Sequence, residues 1–285
     1  LLAAFLLAGS ILFSVFSYYV TTLRPDLYRP LQVDAAVLER LAKRAEDKLT
    51  APVTMANAAW AVESAGGNID RSGRTPSAAD AASPVTVELT EDELNAFVRK
   101  WTQPHRSAFE PYVGRPHIAL SPGRLVVMGE IPRLGNKVAA VHFEPRLDEE
   151  GRLWMPMVSR RLGRFPLPEG LFFDEQLEQL ITHLQSRIPE WQVRAKMDAG
   201  GAVNDEAVAV VAARLLTASL RHESVMPVLF SPVVGAGGKW VPVWVTRIEV
   251  HEGVLRTTVR PLSRKERIDL MGSICGEASA NAAPR

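Results

Sequence analysis

The hydrophobic pattern opens with an apolar run, Leu1 to Leu23, that contains no charged side chain and ends at Arg24. A helix needs roughly 20 mostly apolar residues to cross a bilayer core. Tyr18 and Tyr19 stand near the end of the run, where aromatic side chains meet the headgroups. A cleaved signal peptide has a shorter apolar region, about 7–15 residues, that ends in small residues. A buried core helix would have a polar face. The pattern therefore predicts one uncleaved transmembrane anchor at residues 1–23.

The orientation of this anchor is less strongly determined. Positive charge favours the cytoplasmic side of a membrane, so Arg24 and Arg29 argue mildly for a cytoplasmic main domain. Anchors near an N-terminus commonly leave the main domain on the other side. We therefore expect a single-pass protein of the inner (cytoplasmic) membrane whose main domain is extracytoplasmic.

An amphipathic juxtamembrane helix is expected within residues 24–55. Apolar side chains recur about every four residues from Leu31 to Leu49, and charged side chains cover the other sides. Pro30 stands where the helix can begin, and Pro52 stands where it is expected to end. The stripe indicates a stalk or packing on the chain's own domain; the alternative is a docking surface for a membrane-protein partner.

Composition divides the rest of the chain. Residues 56–83 are rich in Ala, Gly, Ser and Asp and have weak periodicity, which predicts a flexible linker. Residues 276–285 predict a disordered tail. Between these segments, residues 84–275 are long enough to form the extracytoplasmic domain.

The first half of this domain predicts a helix and an antiparallel meander. Thr90-Glu-Asp-Glu93 is a capping box, and the helix that it opens is expected to run to about Trp101. Pro122-Gly123 is a turn signal between two strands. The alternating segments predict strands at 117–121, 124–131, 137–147 and 151–162. In 137–144 both alternating faces are apolar, so this strand is covered on both sides or one face lines an apolar cavity.

The second half predicts two helices and a hairpin. Gly170–Ile188 and Asp205–His222 have helical apolar stripes. Strands at 240–250 and 254–261 are expected to turn at Glu252-Gly253. Strands and helices that do not alternate regularly indicate the α+β class. We therefore expect a transmembrane helix followed by an antiparallel sheet packed against long amphipathic helices.

Charge and residue counts exclude several functions. Lys and Arg number 33 against 32 Asp and Glu, so the basic excess of a nucleic-acid-binding protein is absent. Cys275 is the single cysteine, which excludes an internal disulfide and a multi-cysteine metal site. The six histidines lack the spacing that places ligands on one helix face. No metal and no cofactor is expected.

The sequence carries no recognisable catalytic motif. The chain has no Gly-x-Ser-x-Gly elbow and no phosphate loop. Its acidic clusters are explained by helix capping and turns, and no pair of carboxylates stands out as an acid–base couple. We expect a protein that is not an enzyme.

Large apolar side chains gather around the Phe165-Pro-Leu-Pro168 junction. A domain core is the plain interpretation. The alternative is a groove for an acyl chain or another apolar ligand, because Met and Phe form adaptable apolar surfaces. The candidate groove residues are Phe143, Trp154, Met157, Phe172, Phe173, Leu177 and Ile181.

The order of these elements resembles a known family. The capping-box helix Thr90–Trp101 precedes the strand Arg124–Ile131, the LGRFPLP junction Leu162–Pro168, an amphipathic helix and the closing Glu252-Gly253 hairpin. This pattern looks like single-pass bacterial envelope proteins with a TULIP-like, lipid-binding extracytoplasmic domain. The resemblance covers residues 84–261. It implies a long helix laid against a curved antiparallel sheet, with an apolar groove between them.

Two functional hypotheses follow. The first is a non-enzymatic, membrane-tethered domain that binds a lipid or another apolar ligand. The second is a structural or accessory subunit of a larger membrane complex, held through its anchor and the helix Leu31–Leu49.

Overall fold

The computed structural model describes residues 20–64, 83–103, 113–167, 173–198, 201–233 and 239–281, and the structural statements below concern these residues. They form an α+β fold with antiparallel sheets and helices, which confirms the predicted class. The helices are α1 (Ala35–Ser64), α2 (Glu91–Thr102), α3 (Phe173–Arg194), α4 (Asp205–Arg221) and α5 (Arg264–Asn281). The strands are β1 (Val85–Thr90), β2 (Gly114–Ser121), β3 (Arg124–Ile131), β4 (Lys137–Phe143), β5 (Arg146–Leu147), β6 (Leu153–Trp154), β7 (Met157–Leu162), β8 (Phe165–Pro166), β9 (Val203–Asn204), β10 (Ser224–Val225), β11 (Val228–Pro232), β12 (Lys239–His251) and β13 (Val254–Pro261).

The first sheet packs against α1. Its strands follow the order β1-β13-β12-β11, and β9 pairs with one end of β12. The C-terminal half of α1 buries Val53, Ala56 and Trp60 against valines of β12 and β13. The indole nitrogen of Trp60 donates a hydrogen bond to the Leu262 carbonyl at 2.8 Å. The β12–β13 turn contains Gly253 at φ 67°, so the hairpin forms where it was predicted.

The second sheet is the meander, with strand order β2-β3-β4-β7-β8. The Pro122-Gly123 turn joins β2 to β3, as predicted. At the other end of β3, Ile131 pairs with Lys137. Leu162 pairs with Ala139 beside them, which brings the β7–β8 turn to the same end. We call this end, residues 114–116, 131–138 and 162–165, the base of the meander.

Helix α2 covers the edge of the meander. Its predicted capping box is confirmed, because the Glu93 carboxylate accepts from the Thr90 amide and the Thr90 hydroxyl accepts from the Glu93 amide. The Asn95 amide bonds to both the N–H and the carbonyl of Ile118, each at 2.7 Å. These two bonds replace those of a neighbouring strand, so the edge of β2 is not left unpaired.

A third region packs the remaining helices together. Helices α3, α4 and α5 contact one another and enclose a core in which Val210, Leu270 and Ile274 are almost fully buried. A short three-stranded sheet, β10-β6-β5, lies beside α4.

Two helices continue past a proline that follows or lies near their predicted end. Helix α1 runs through Pro52 to Ser64, and α3 begins at Phe173 and runs through Pro189 to Arg194. A proline removes one intrahelical hydrogen bond. In α1 the burial of side chains on both sides of Ala56 offsets this cost, so packing overrides the local signal. Residues 65–82 of the predicted linker, and Gly170, lie outside the described residues.

Helix α5 runs from Arg264 to Asn281 and so includes residues 276–281 of the segment that was expected to be a disordered tail. Ile274 is fully buried in this helix, and Cys275 is half-buried against the same core. The missed signal is a second capping box, in which the Ser263 hydroxyl accepts from the Glu266 amide and the Glu266 carboxylate accepts from the Ser263 amide.

Residues 1–19 of the predicted anchor lie outside the described residues, and 20–22 form a short helical turn. Within the described part of the chain, no helix combines the length and the apolar character needed to cross a membrane.

Candidate functional site

The structure brings together two of the seven predicted groove residues. Phe143 of β4 and Met157 of β7 are register partners, and Leu125 of β3 pairs with Phe143 on its other side. Trp154 lies instead in the small third sheet, where its ring stacks under the Arg146 guanidinium at 4.0 Å and its nitrogen donates to the His222 carbonyl.

The remaining groove residues belong to α3 or precede it. Ile181 is buried in α3, whose main neighbours in the described residues are α4 and α5 rather than the meander. Phe172 lies outside the described residues. Phe173 and Leu177 belong to α3, but their side chains lie outside what the structure describes. A groove between this helix and the strand faces therefore stays a prediction.

One face of the meander is closed. Alternate residues of a strand point to the same face, and on this face Ala119, Val126, Met128, Val138 and Ala140 are buried. Tyr28, from the segment before α1, packs onto them and is itself 5% exposed.

The opposite face, here named the open face, is apolar but only partly covered. Val127 of β3 pairs with Val141 of β4, and both lie on this side. Val127 is exposed and Val141 is half-buried, while the neighbouring Phe143 is buried. Both faces of β4 are apolar in sequence. In the fold one face is buried, and the other is only partly covered at its centre, around Val141.

Residues 20–30, which we call the strap, bind the base of the meander. The Arg164 amide donates to the Val20 carbonyl at 3.1 Å, and Lys137 Nζ bonds to Thr21 Oγ1 at 2.9 Å. Arg164 also donates to the Arg24 carbonyl at 3.2 Å and pairs with Asp26. The strap therefore runs across the ends of β4 and β7.

Gly163 allows this close approach. Its φ is +59°, in the left-handed region that favours glycine. A methyl group in place of its hydrogen would lie 2.7 Å from the Leu23 carbonyl oxygen and closer still to that of Thr21. Gly163 is the single glycine of the LGRFPLP junction. The sequence alone does not explain it, since only the folded strap shows why a side chain cannot fit.

A buried histidine lies beneath the strap. His117 is 3% exposed, its ring meets Tyr28 edge-on at 5.9 Å, and its Nε2 has no hydrogen-bond partner among the described residues. Burial lowers the pKa of His117, against the opposing effects of the Glu91 carboxylate 3.7 Å away and a hydrogen bond to the Leu27 backbone. Burial, assisted by Glu130, raises the pKa of Tyr28 to about 12. Both groups are therefore neutral at pH 7.

A shallow cleft of about 320 Å³ lies on the helical side of the molecule. Met197, Ile268 and Met271 supply apolar walls, and Arg267 stacks on the Trp60 ring at 4.5 Å. Since Arg267 also donates to the Leu262 carbonyl, its charge already has partners inside the fold.

Within the described residues, no cluster of three or more His, Cys, Asp or Glu side chains is arranged to hold a metal ion. Comparisons with models of protein families, with curated proteins and with solved structures find no match to this chain. The site must therefore be interpreted from its own residues.

Proposed function

We propose that this protein is a membrane-tethered, non-enzymatic domain that binds a lipid or another apolar ligand on the open face of the meander. Residues 1–23 serve as the transmembrane anchor, and the domain lies on the extracytoplasmic side. The proposal combines the uncharged N-terminal run with the placement of exposed apolar side chains in the fold.

That placement carries most of the argument. Five of the eight exposed large apolar side chains in the described residues lie in the strap, in the meander or just before it. They are Leu27, Val113, Val127, Leu134 and Val158. Single exposed apolar residues need no explanation, but their concentration in this part of the fold supports an interaction surface here, and Val127 lies on the open face itself. The same unit is bound to the strap that leads to the anchor.

The accessory-subunit hypothesis receives less support from the fold. Its proposed docking helix, Leu31–Leu49, overlaps α1, and α1 packs on its own domain. Ala45 is fully buried and Leu49 packs beside it against Val87 and Leu89. Val33 remains exposed, but Val37, Leu41 and Leu49 are half-buried, so the stripe is partly used within the fold.

A photocrosslinker can test both hypotheses at once. We would introduce p-benzoylphenylalanine at Val127 of the full chain, irradiate it in membranes, and identify adducts by mass spectrometry. A matched control carries the probe at Val193, which is 76% exposed on α3 and distant in sequence from the meander. We expect lipid adducts at Val127 and few at Val193.

Adducts to one protein at Val127 would favour the accessory subunit instead. No adduct at Val127 above the level at Val193 would refute ligand binding at this face. As a second readout, Val127→Asp should reduce the ligand retained by about 10-fold or more, because burying a valine side chain contributes about 1.5–3 kcal/mol. Val193→Asp should retain the wild-type amount.

A further inference from the structure

We propose that the base of the meander and the strap together form a basic surface that binds the anionic phospholipid headgroups of the bilayer in which the chain is anchored. This inference rests on the anchor in the proposed function, but not on a ligand at the open face. It assigns a partner of defined chemistry to a second surface, which is polar rather than apolar.

The path of the chain places this surface at the membrane. The uncharged run ends at Leu23, so residues 20–23 belong at the boundary between hydrocarbon and headgroups. Lys137 Nζ is 2.9 Å from Thr21 Oγ1, and the Arg164 amide is 3.1 Å from the Val20 carbonyl. One headgroup layer is about 5–8 Å thick. Both residues therefore lie at headgroup depth whenever Val20 and Thr21 do.

The charge of this surface suits anionic lipid. The strap and the base carry six cations, namely Arg24, Arg29, Arg115, Arg133, Lys137 and Arg164, against the carboxylates of Asp26 and Glu130. Glu130 is 10% exposed and is shared by Arg24 and Arg115, whose side chains are 60% and 69% exposed. The carboxylates thus leave a net positive surface, and basic residues beside a membrane are attracted to anionic headgroups.

The β3–β4 turn adds an apolar contact to the same surface. It contains a short 3₁₀ segment, Pro132–Leu134, followed by Gly135 in the left-handed conformation. Leu134 is 45% exposed at its tip, three residues before Lys137. An apolar side chain flanked by cations is the composition of segments that lie in the membrane interface. Leu134 is therefore placed to enter the headgroup layer.

The test is lipid selectivity of the full chain reconstituted in bilayers. Electron paramagnetic resonance would compare the association of spin-labelled phosphatidylglycerol with that of spin-labelled phosphatidylcholine at low ionic strength. We expect the wild-type chain to prefer the anionic lipid. Each cation near the surface contributes about 1 kcal/mol, or about fivefold, so Arg133→Gln with Lys137→Gln should reduce the preference by up to about 25-fold.

The matched control removes two cations at the opposite end of the meander. Arg124 is the first residue of β3 and Ile131 is the last. Because the strand has eight residues, these two lie about 23 Å apart. Arg152 follows β5 beyond the same far end. Arg124→Gln with Arg152→Gln should leave the preference unchanged. Equal selectivity in the wild type and the base variant would overturn the proposal.

Two further measurements keep the outcome decisive. If the base variant loses its native tryptophan fluorescence, Arg29→Gln replaces it, because the Arg29 side chain is exposed and, among the contacts that the structure describes, donates only to the nearby Asp26 carbonyl. A nitroxide at Leu134→Cys in a Cys275→Ser chain should become accessible to oxygen dissolved in lipid, whereas one at Val193→Cys should not. Selectivity can fail while lipid adducts at Val127 persist, and the reverse also holds, so the two proposals are separately testable.

Discussion

Gly163→Ala should detach the strap from the base of the meander. The new methyl group would meet two backbone carbonyl oxygens, those of Thr21 and Leu23, which cannot rotate away as a flexible side chain can. It would also hold a non-glycine residue at φ +59°. The strap must therefore shift or the turn must distort.

The cost can be worked out from a matched glycine at the same end of the sheet. Gly135 has φ +68° and no atom within 4 Å of an added methyl group. Gly135→Ala should therefore cost only the left-handed strain, about 1–2 kcal/mol. Gly163→Ala should cost that amount plus the Arg164–Val20 and Lys137–Thr21 hydrogen bonds, each about 1 kcal/mol. We expect a total of about 3–4 kcal/mol.

Urea unfolding in a mild detergent, followed by tryptophan fluorescence, measures both losses. Hydrogen exchange locates the damage: the Arg164 amide, which bonds to the Val20 carbonyl, should lose protection in Gly163→Ala and keep it in Gly135→Ala. Equal destabilisation of the two variants, with Arg164 protected in both, would show that the strap does not rest on Gly163.

Three further outcomes follow from buried groups. Burial lowers the pKa of His117 in the folded state, so the stability that neutral His117 contributes is complete above the unfolded pKa of about 6.5 and is lost as the pH falls below that value. The free energy of unfolding, measured from pH 8 to 5, should therefore decline less steeply in His117→Gln than in the wild type. Glu93→Ala should cost about 2–3 kcal/mol in urea unfolding, because it removes a cap and the hydrogen bonds from Lys48, whereas Glu39→Ala, at a 64% exposed ion pair, should cost less than about 1 kcal/mol. Ile274→Ala should cost about 2–5 kcal/mol, and the 61% exposed Ile268→Ala should stay within about 0.5 kcal/mol of wild type; similar losses for these two isoleucines would mean that α5 is not packed on the core.

The elements predicted well are those whose signals are local. The Thr90–Glu93 capping box, the Pro122-Gly123 turn and the Glu252-Gly253 turn each lie within a few residues, and all three form as expected. Strand alternation likewise identified the two apolar faces of β4. Local hydrogen bonds and turn conformations depend on neighbouring residues, so a single sequence is sufficient to predict them.

The errors concern packing between distant residues. The hydrogen bond between Lys137 and Thr21 joins residues that are 116 positions apart in sequence. The hydrophobic periodicity of neither segment predicts this contact. The helix passes Pro52 because Trp60 is buried beyond it, and the sequence alone does not show that burial. Helix α5 was not predicted because Gly272 and Gly276 interrupt its apolar pattern. The burial of Ile274 in the core nevertheless holds this helix in place.

The strap also bears on how the proposed anchor would be joined to the domain. In chain order, α1, residues 65–82, β1 and α2 stand between the strap and the meander. In the fold, the strap bonds to the meander before α1 begins, and residues 65–82 connect α1 to β1, two elements that already contact each other. In the proposed arrangement, the orientation of the meander at the membrane would depend on Tyr28, Gly163 and Arg164 rather than on the length of that connection. The strap would then keep the base of the meander at the headgroups and the open face at a fixed height above them.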